Sequence, residues 1–217
     1  MVIDLSQPIA PDMPVWPGTP SPAVKLLKNR PRHGYEERRL TLTTHTGTHV
    51  DAPAHLTDGP ALDGLTLERF TGPGFVADVR AFAGRPVRWE NLERTPGWAG
   101  PREFVLLWTG WDAFWGTQAY NRGYPALDPA AAERLAFAGI KGLGVDAPSV
   151  DAFDSGGLPV HRALLSRGAI LVENLRGLGG LAGRAFRFAA FPLPIPAADG
   201  SPVRAVALVD ECGEALP

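Results

Sequence analysis

The chain of 217 residues contains one cysteine, Cys212, close to its C-terminus. A single cysteine cannot form a disulfide within the chain, and it cannot supply the thiolate cluster of a structural zinc site. Any metal site in this protein therefore has to be built from histidine, aspartate and glutamate side chains.

Long apolar runs and a strong excess of charge are also missing. No segment holds about 18 uninterrupted apolar residues, and the first five residues lack the basic stretch and apolar run of a signal peptide. The formal net charge is only −2, so the sequence shows no basic surface for nucleic acid or for an anionic membrane. We therefore expect a cytoplasmic protein whose partners are small molecules.

The composition is that of a folded globular protein, with 45% hydrophobic and 20% charged residues. Short apolar runs alternate with glycine and proline from end to end, without a long linker or an internal repeat. This pattern predicts a single domain spanning residues 1–217. Predicted strands outnumber helices, which indicates the α/β class, with a mixed, partly barrel-like sheet and helices packed outside it.

Two helices have clear start and stop signals. Asp128 can cap a helix that continues through residues 130–137, and Pro159 can open a second one that ends before Gly168. Runs of strand length cover residues 2–5, 23–27, 37–44, 75–79, 104–108, 140–145, 170–175, 186–190 and 203–209. The strand over 37–44 is predicted to lead directly into His45.

Four groups that bind metals or transfer protons fall within eleven residues: His45, His49, Asp51 and His55. Gly47 and the β-branched residues around it disfavour a helix, so the segment is expected to be extended or to fold back on itself. In an extended segment His49 and Asp51, two residues apart, project to the same side. Gly47 would let His45 turn back to the same point.

The ligand chemistry of this cluster favours a hydrolytic metal. One carboxylate beside imidazoles suits Zn²⁺, Mn²⁺ or Fe²⁺ better than Ca²⁺ or Mg²⁺. The alternative is that the histidines are surface residues of a threonine-rich loop, although that reading has to explain four such groups in one short segment.

Two residues further along the chain carry chemistry that the local pattern leaves open. Glu173 interrupts the apolar run 169–175, and a buried carboxylate there needs a cation, either an arginine or lysine or a metal ion. His161 falls in the first turn of the second predicted helix, where it can be a capping or core residue or a metal ligand. The helix and the strand that contains Glu173 are adjacent in sequence, so one connection could bring both side chains together.

The segment His45–His55 resembles the His-x-Gly-Thr-His-x-Asp-x-Pro-x-His signature of the cyclase family, which includes bacterial kynurenine formamidases and isatin hydrolases. The resemblance extends along the chain to Ile3–Ser6, Val15–Gly18, Gly144–Ser149, Glu173–Leu175, Pro192–Leu193 and Gly200–Ala205. It implies the swivelling β/β/α-like fold of that family.

By this resemblance, two divalent metal ions would be bound in each chain, Zn²⁺ being the first candidate and Mn²⁺ the second. His45, His49 and Asp51 would hold one ion. Asp51 would bridge to the other, which His161 would ligate, and Glu173 would complete the pair.

The resemblance also assigns proton transfer to His55 and contact with an aromatic substrate to Trp16. It implies a hydrolase that cleaves an amide-type C–N bond of a small aromatic substrate, an arylformamide like the N-formylkynurenine of tryptophan catabolism. The alternatives are a hydrolase of a cyclic amide or lactone and a non-catalytic metal- or ligand-binding protein. Thr19 and the stretch 156–161 differ from what kynurenine formamidases carry there. Family members usually form homodimers or homotetramers, which is the expectation for this chain.

Overall fold

The structure is a computed structural model that describes residues 1–100 and 102–209; Cys212 lies outside the described residues. Thirteen strands lie in the described part of the chain. They are β1 (Val2–Asp4), β2 (Ala23–Lys28), β3 (Glu37–Thr41), β4 (His49–Asp51), β5 (Thr71–Asp78), β6 (Pro86–Val87), β7 (Phe104–Trp108), β8 (Ala126–Leu127), β9 (Gly142–Val145), β10 (Ile170–Glu173), β11 (Phe186–Ala189), β12 (Gly200–Pro202) and β13 (Val206–Leu208).

The helices of the described residues are short. The α-helices are α1 (Arg30–His33), α2 (Trp89–Glu93), α3 (Pro129–Phe137) and α4 (Pro159–Leu165), and 3₁₀ turns cover Pro53–His55, Leu62–Gly64, Leu67–Phe70, Arg80–Phe82, Trp111–Phe114 and Leu178–Leu181. Within residues 1–100 and 102–209, no helix has the length and apolar character needed to cross a membrane.

Both predicted helices are confirmed, and their capping signals act as expected. The Asp128 side chain accepts a hydrogen bond from the Ala130 N–H at 3.0 Å, and α3 starts at the following proline. Similarly, α4 starts at Pro159, and Gly168 adopts a left-handed φ of 78° just beyond its end.

Nine of the strands form one curled, half-barrel-like sheet in the order β1-β13-β11-β5-β7-β9-β10-β4-β12. The central strands β5, β7, β9 and β10 run parallel, while the strands at both ends pair antiparallel. The remaining strands form two-stranded pairs, β2 with β3 and β6 with β8. This mixed sheet with few helices agrees with the predicted fold class.

The two faces of the central strands pack into separate apolar cores. Val105 and Leu107 of β7 belong to a core that includes buried residues of α3 and α4. Phe104 and Leu106 belong to the core of the opposite face, which includes residues of β11 and β13. Successive side chains of a strand point to opposite faces of the sheet. Since both faces of β7 are covered, the strand is apolar throughout.

The prediction that a strand over 37–44 leads directly into His45 is wrong. β3 ends at Thr41 and pairs only with β2 among the described strands, and all five of its residues are exposed. The chain then has to leave this hairpin to enter the large sheet at β4. Gly47, with a φ of 65°, lies in that connection, where a left-handed backbone favours glycine.

Candidate metal centre and active site

The short strand β4 places two candidate ligands on one face of the large sheet. Val50 packs into the core on one side, so His49 and Asp51 point to the other face, where α4 packs. On β10, Glu173 is the register partner of His49, so the two side chains lie on the same face. His49, Asp51 and Glu173 are only 4%, 1% and 5% exposed.

His45, which precedes β4, completes a first group of ligand atoms. Its Nδ1 lies 2.8 Å from Asp51 Oδ1, and His49 Nε2 lies 3.3 Å from the same oxygen. The ligand atoms of these three residues lie within 4.8 Å of one another. The turn at Gly47 therefore brings His45 back to β4, as the sequence predicts.

A second group shares Asp51 with the first and adds residues from α4 and β10. His161 is the third residue of α4, and its Nε2 lies 3.7 Å from Asp51 Oδ2 and 3.4 Å from Glu173 Oε1. His49 Nε2 lies 3.6 Å from the other Glu173 oxygen. Asp51 and Glu173 thus each face both groups.

Outer hydrogen bonds fix the orientation of the buried imidazoles. His161 Nδ1 lies 2.7 Å from Asp151 Oδ2, and the same carboxylate accepts the backbone N–H groups of Val160 and His161. The Nδ1 of His49 lies 2.9 Å from the Gly47 carbonyl oxygen. In both rings Nε2 is thereby left to face the carboxylates of the cluster, which is how histidine ligands are usually supported.

A carboxylate that the sequence reasoning missed, Asp199, contacts two histidines of the site. Its Oδ2 lies 2.9 Å from His45 Nε2 and 3.0 Å from His55 Nδ1. These three residues form a third group of clustered ligand-type atoms in the described structure, and all three are half-buried. Asp199 directly precedes the Gly200–Ala205 stretch, so its position beside a recognised motif is the signal that could have identified it.

The protonation of the cluster follows from its paired charges. Burial alone would raise the pKa of Asp51, but the imidazoles around it hold the pKa well below its usual value. Burial would lower the pKa of His161, yet hydrogen bonds to Asp151 and Glu173 raise it to about 10. Burial would also lower the pKa of His45, yet the carboxylates of Asp51 and Asp199 raise it to about 9. In the absence of another cation, the carboxylates therefore keep protons on these imidazoles.

The residues fit a divalent metal ion. Asp51 Oδ2 is buried, and it has no hydrogen-bond partner among the described residues, an arrangement that is costly unless a cation compensates it. The first two groups each combine imidazole nitrogen with carboxylate oxygen, the donor set that suits zinc and manganese. A bound ion would take the place of the protons that the carboxylates otherwise hold on the rings.

These groups lie at the bottom of a cavity of about 250 Å³. Its floor consists of the chemistry-bearing residues His45, His49, Asp51, His55, His161 and Glu173. Its wall includes Pro14, Val15, Trp16, Tyr120, Asn121 and Leu158. The cavity is therefore lined by titratable groups below and largely by apolar and aromatic side chains above, which is typical of a small-molecule site.

The wall comes from loops, and its members differ in burial, from Tyr120 at 1% exposed to Trp16. Trp16 is 38% exposed and packs against Phe153, with ring centroids 5.2 Å apart. Asn121 Nδ2 donates to the Val15 carbonyl oxygen at 3.1 Å and so ties two parts of the wall together. Leu158 has a left-handed φ of 50°, which is uncommon for a bulky residue and marks a backbone constrained at the pocket.

All seven residues that the sequence singles out line this one cavity. They are Trp16, His45, His49, Asp51, His55, His161 and Glu173. The fifth histidine of the chain, His33, lies apart in α1, where its ring contacts the backbone of Asn29. The sequence left open whether Glu173 pairs with an arginine or lysine or with a metal ion. Among the described residues no arginine or lysine lies within salt-bridge distance of Glu173, and its carboxylate faces the histidine cluster instead.

Comparison with known proteins gives a consistent result. Residues 3–152 match the Cyclase family. A kynurenine formamidase of Salinibacter ruber is 38% identical over 208 residues, which cover 94% of this chain and 96% of that protein. An isatin hydrolase bound to the product analogue thioisatinate superposes with a TM-score of 0.88 at 24% identity, over 97% of this chain and 92% of that one, and it shares the fold. Isatin hydrolase A from Ralstonia solanacearum gives a TM-score of 0.84 at 26% identity, covering 97% and 92% of the two chains.

Proposed function

This chain belongs to the Cyclase family, and from that premise we propose that it is a metal-dependent hydrolase that cleaves an amide-type C–N bond of a small aromatic substrate. An arylformamide of the N-formylkynurenine kind is the first candidate, because the kynurenine formamidase of Salinibacter ruber is similar over nearly the whole chain. The observation that carries the proposal is the convergence of two ligand groups and a further histidine, His55, on the floor of one cavity.

We propose that each chain binds two divalent ions, with Zn²⁺ as the first candidate and Mn²⁺ as the second. His45, His49 and Asp51 would hold one ion, while Asp51, His161 and Glu173 would hold the other. Bound there, divalent ions would lower the pKa of a coordinated water and stabilise the negative charge that develops on the carbonyl oxygen. Burial of the ligands supports this role, because charges act more strongly where water is excluded.

His55 is proposed as the group that moves protons. Its side chain is 25% exposed and lines the cavity, so a substrate can reach it. Its Nδ1 is engaged by Asp199, which leaves Nε2 for the reaction. His55 would accept a proton from the attacking water and then deliver one to the departing nitrogen, the usual division of general base and general acid catalysis.

The wall of the cavity supports a small, flat substrate. A cavity of about 250 Å³ is slightly smaller than the roughly 300–1,000 Å³ that ligand sites commonly span. Trp16 offers an aromatic face that is partly exposed, with Leu158 also lining the cavity. We therefore propose that Trp16 packs against the aromatic ring of the substrate while the scissile carbonyl lies over the floor.

A second candidate is the opening of a cyclic amide or lactone, which the similarity to isatin hydrolase A favours. Hydrolysis of an arylformamide and opening of a cyclic amide or lactone would use the same floor residues. The wall residues would therefore decide which of the two substrates is accepted. The remaining alternative is a protein that binds metal and ligand without turnover, and the position of His55 speaks against it because binding alone requires no proton-transferring group.

The test is a substrate screen with protein reconstituted separately with Zn²⁺ and Mn²⁺. N-formylkynurenine, isatin and a simple aromatic lactone are supplied, and kcat/KM is measured for each, with a His55→Ala variant as the matched control. The proposal expects the formamide to be cleaved with the highest kcat/KM and the control to be strongly impaired. A preference for isatin or the lactone would select the second candidate. Failure to turn over any of the three would contradict the hydrolase assignment.

A further inference from the structure

One oxygen of Asp199 joins two histidines to which the proposed function gives different tasks. Asp199 Oδ2 lies 2.9 Å from His45 Nε2 and 3.0 Å from His55 Nδ1. The two rings lie close together, with centroids 4.3 Å apart. Both distances are those of direct hydrogen bonds. The carboxylate is therefore placed to hold a proposed metal ligand and the proposed proton-transfer residue at the same time.

The backbone around Asp199 is built into the sheet that carries the metal ligands. Its carbonyl oxygen accepts the Ala52 N–H at 2.8 Å, and the next residue, Gly200, is the register partner of Asp51. Because β12 pairs with β4, the Asp199 carboxylate emerges beside the metal ligands on a hydrogen-bonded strand end. Its place relative to the floor is thus set by main-chain hydrogen bonds.

Gly200 shows how closely His45 is fitted against this strand. A Cβ atom at this position would lie 2.8 Å from Cε1 of the His45 ring and 2.9 Å from the Val50 carbonyl oxygen. Both separations are shorter than ordinary van der Waals contact. A glycine is therefore required for the ring to approach β12 this closely, with one nitrogen toward Asp51 and the other toward Asp199.

We propose that Asp199 is a positioning residue that fixes the tautomers of both rings. It would accept the Nε2–H of His45, which leaves Nδ1 for the metal ion, and the Nδ1–H of His55, which leaves Nε2 for proton transfer. The role given to each ring rests on the proposed function. The hydrogen bonds from the two rings to Asp199 are independent of that function, and they can be measured without a substrate.

The geometry argues against Asp199 as a third metal site. The side chains of Asp199, His45 and His55 are respectively 41%, 26% and 25% exposed, whereas Asp51, the residue that the first two groups share, is only 1% exposed. His45 already turns its Nδ1 toward Asp51 at 2.8 Å. A carboxylate behind a histidine ligand is the common arrangement in metal sites, and its loss typically weakens metal affinity by about 10- to 100-fold.

The decisive measurement is the tautomer of His55 in zinc-loaded protein with ¹⁵N-labelled histidine. Long-range ¹H–¹⁵N correlation spectra show which ring nitrogen carries the proton, and a His55→Gln variant assigns the signals. We expect the Nδ1–H form in the wild type and a shift toward the Nε2–H form in Asp199→Ala. Asp199→Asn keeps an acceptor oxygen and should restore the wild-type tautomer. Asp58→Asn, which removes an exposed carboxylate, is the matched control and should change nothing.

Zinc titration of the same variants provides the second arm. Asp199→Ala should still bind as many zinc ions per chain as the wild type at saturation, with an affinity about 10-fold weaker or more. An unchanged His55 tautomer in Asp199→Ala would overturn the proposal, and so would the loss of a whole zinc equivalent at saturation, which would make Asp199 a ligand. If the wild type hydrolyses none of the substrates, the proposed function fails, while the tautomer measurement still decides the role of Asp199.

Discussion

The floor and the wall of the cavity are built in different ways. Floor residues such as Asp51 and Glu173 project from hydrogen-bonded strands of the large sheet and are almost fully buried. The wall comes from loops, and its most prominent member, Trp16, is 38% exposed. A rigid, charged floor can hold ions and a proton-transfer group in fixed positions, whereas a loop-borne wall can change without disturbing them.

Because of this difference, the reaction class is easier to infer than the substrate. The floor would determine which bonds can be activated, and each of its imidazole rings is oriented by a contact of hydrogen-bond length at Nδ1. The wall would select the molecule that fits, and apart from Asn121 its named side chains are apolar or aromatic, which many aromatic substrates could contact. Changes to the floor should therefore abolish the reaction, while changes to the wall should redirect or weaken binding.

The largest effect is expected from Asp51→Asn, because Asp51 belongs to both ligand groups. The variant should lose metal from both groups and lower hydrolysis by at least about 10³-fold, as several kcal/mol of charge stabilisation disappear. Metal content by elemental analysis and kcat/KM are measured together, with Asp58→Asn as the control. Retention of a full complement of metal would show that Asp51 is not a shared ligand.

His55→Ala should separate catalysis from metal binding within the floor. We expect metal content close to that of the wild type and a fall in kcat of about 10²- to 10⁴-fold, the range of general acid–base catalysis. The rate of the zinc-loaded variant is compared with its zinc content. Should His55→Ala lose its metal, His55 would be a ligand and the division of roles within the floor would be wrong.

Trp16→Ala tests the wall and should act mainly on KM. Loss of a partly buried aromatic contact is worth about 1–2 kcal/mol, which corresponds to a KM roughly 5- to 30-fold higher, with kcat and metal content nearly unchanged. Steady-state kinetics of Trp16→Ala and of the milder Trp16→Phe measure this. A fall in kcat with an unchanged KM would assign Trp16 to the chemistry and remove the contrast between wall and floor.

The smallest effect, a change in stability, is expected from a substitution of Asp4 on the edge strand β1. Asp4 lines neither the floor nor the wall of the cavity. Burial would raise its pKa, but hydrogen bonds from Arg204, the Ser6 N–H and Arg176 lower it. A lowered pKa in the folded state means that this stabilisation is present above about pH 4 and is lost as the pH falls through the folded pKa.

Asp4→Asn should accordingly lower the free energy of unfolding at pH 6 by less than about 1 kcal/mol, because the ion pairs are largely solvated. The difference from the wild type should shrink toward pH 3. Urea unfolding at both pH values provides the measurement. A difference that grows on acidification would contradict the sign of the pKa shift, and a change in metal content would show that the edge is coupled to the floor.

Local rules were sufficient for the central segment of the site. The spacing of His49 and Asp51 predicts a shared face in an extended strand, and Gly47 predicts the turn that returns His45; the structure has both. The capping residues of α3 and α4 were equally readable, because such signals act over a few residues. What the resemblance added was the pairing with His161 and Glu173, which spacing alone left undecided.

The rest depends on long-range packing that the sequence pattern does not encode. Asp199 lies 154 residues from His45, and the two meet only because β12 pairs with β4. Both strands have three residues, too few for an alternating pattern to be recognised. Asp151, which holds His161, lies in a loop where an aspartate is ordinary. The single domain over residues 1–217, the cytoplasmic location and the homodimer or homotetramer stay predictions.

We expect hydrolysis to require metal held by the residues of this floor. Purified protein is stripped with a chelator, and hydrolysis of the best substrate from the screen is followed while Zn²⁺, or in parallel Mn²⁺, is added in known ratio to the chain. We expect no hydrolysis by the stripped protein and a recovery that reaches its plateau at two ions per chain in the wild type. Full activity of the metal-free protein would contradict it.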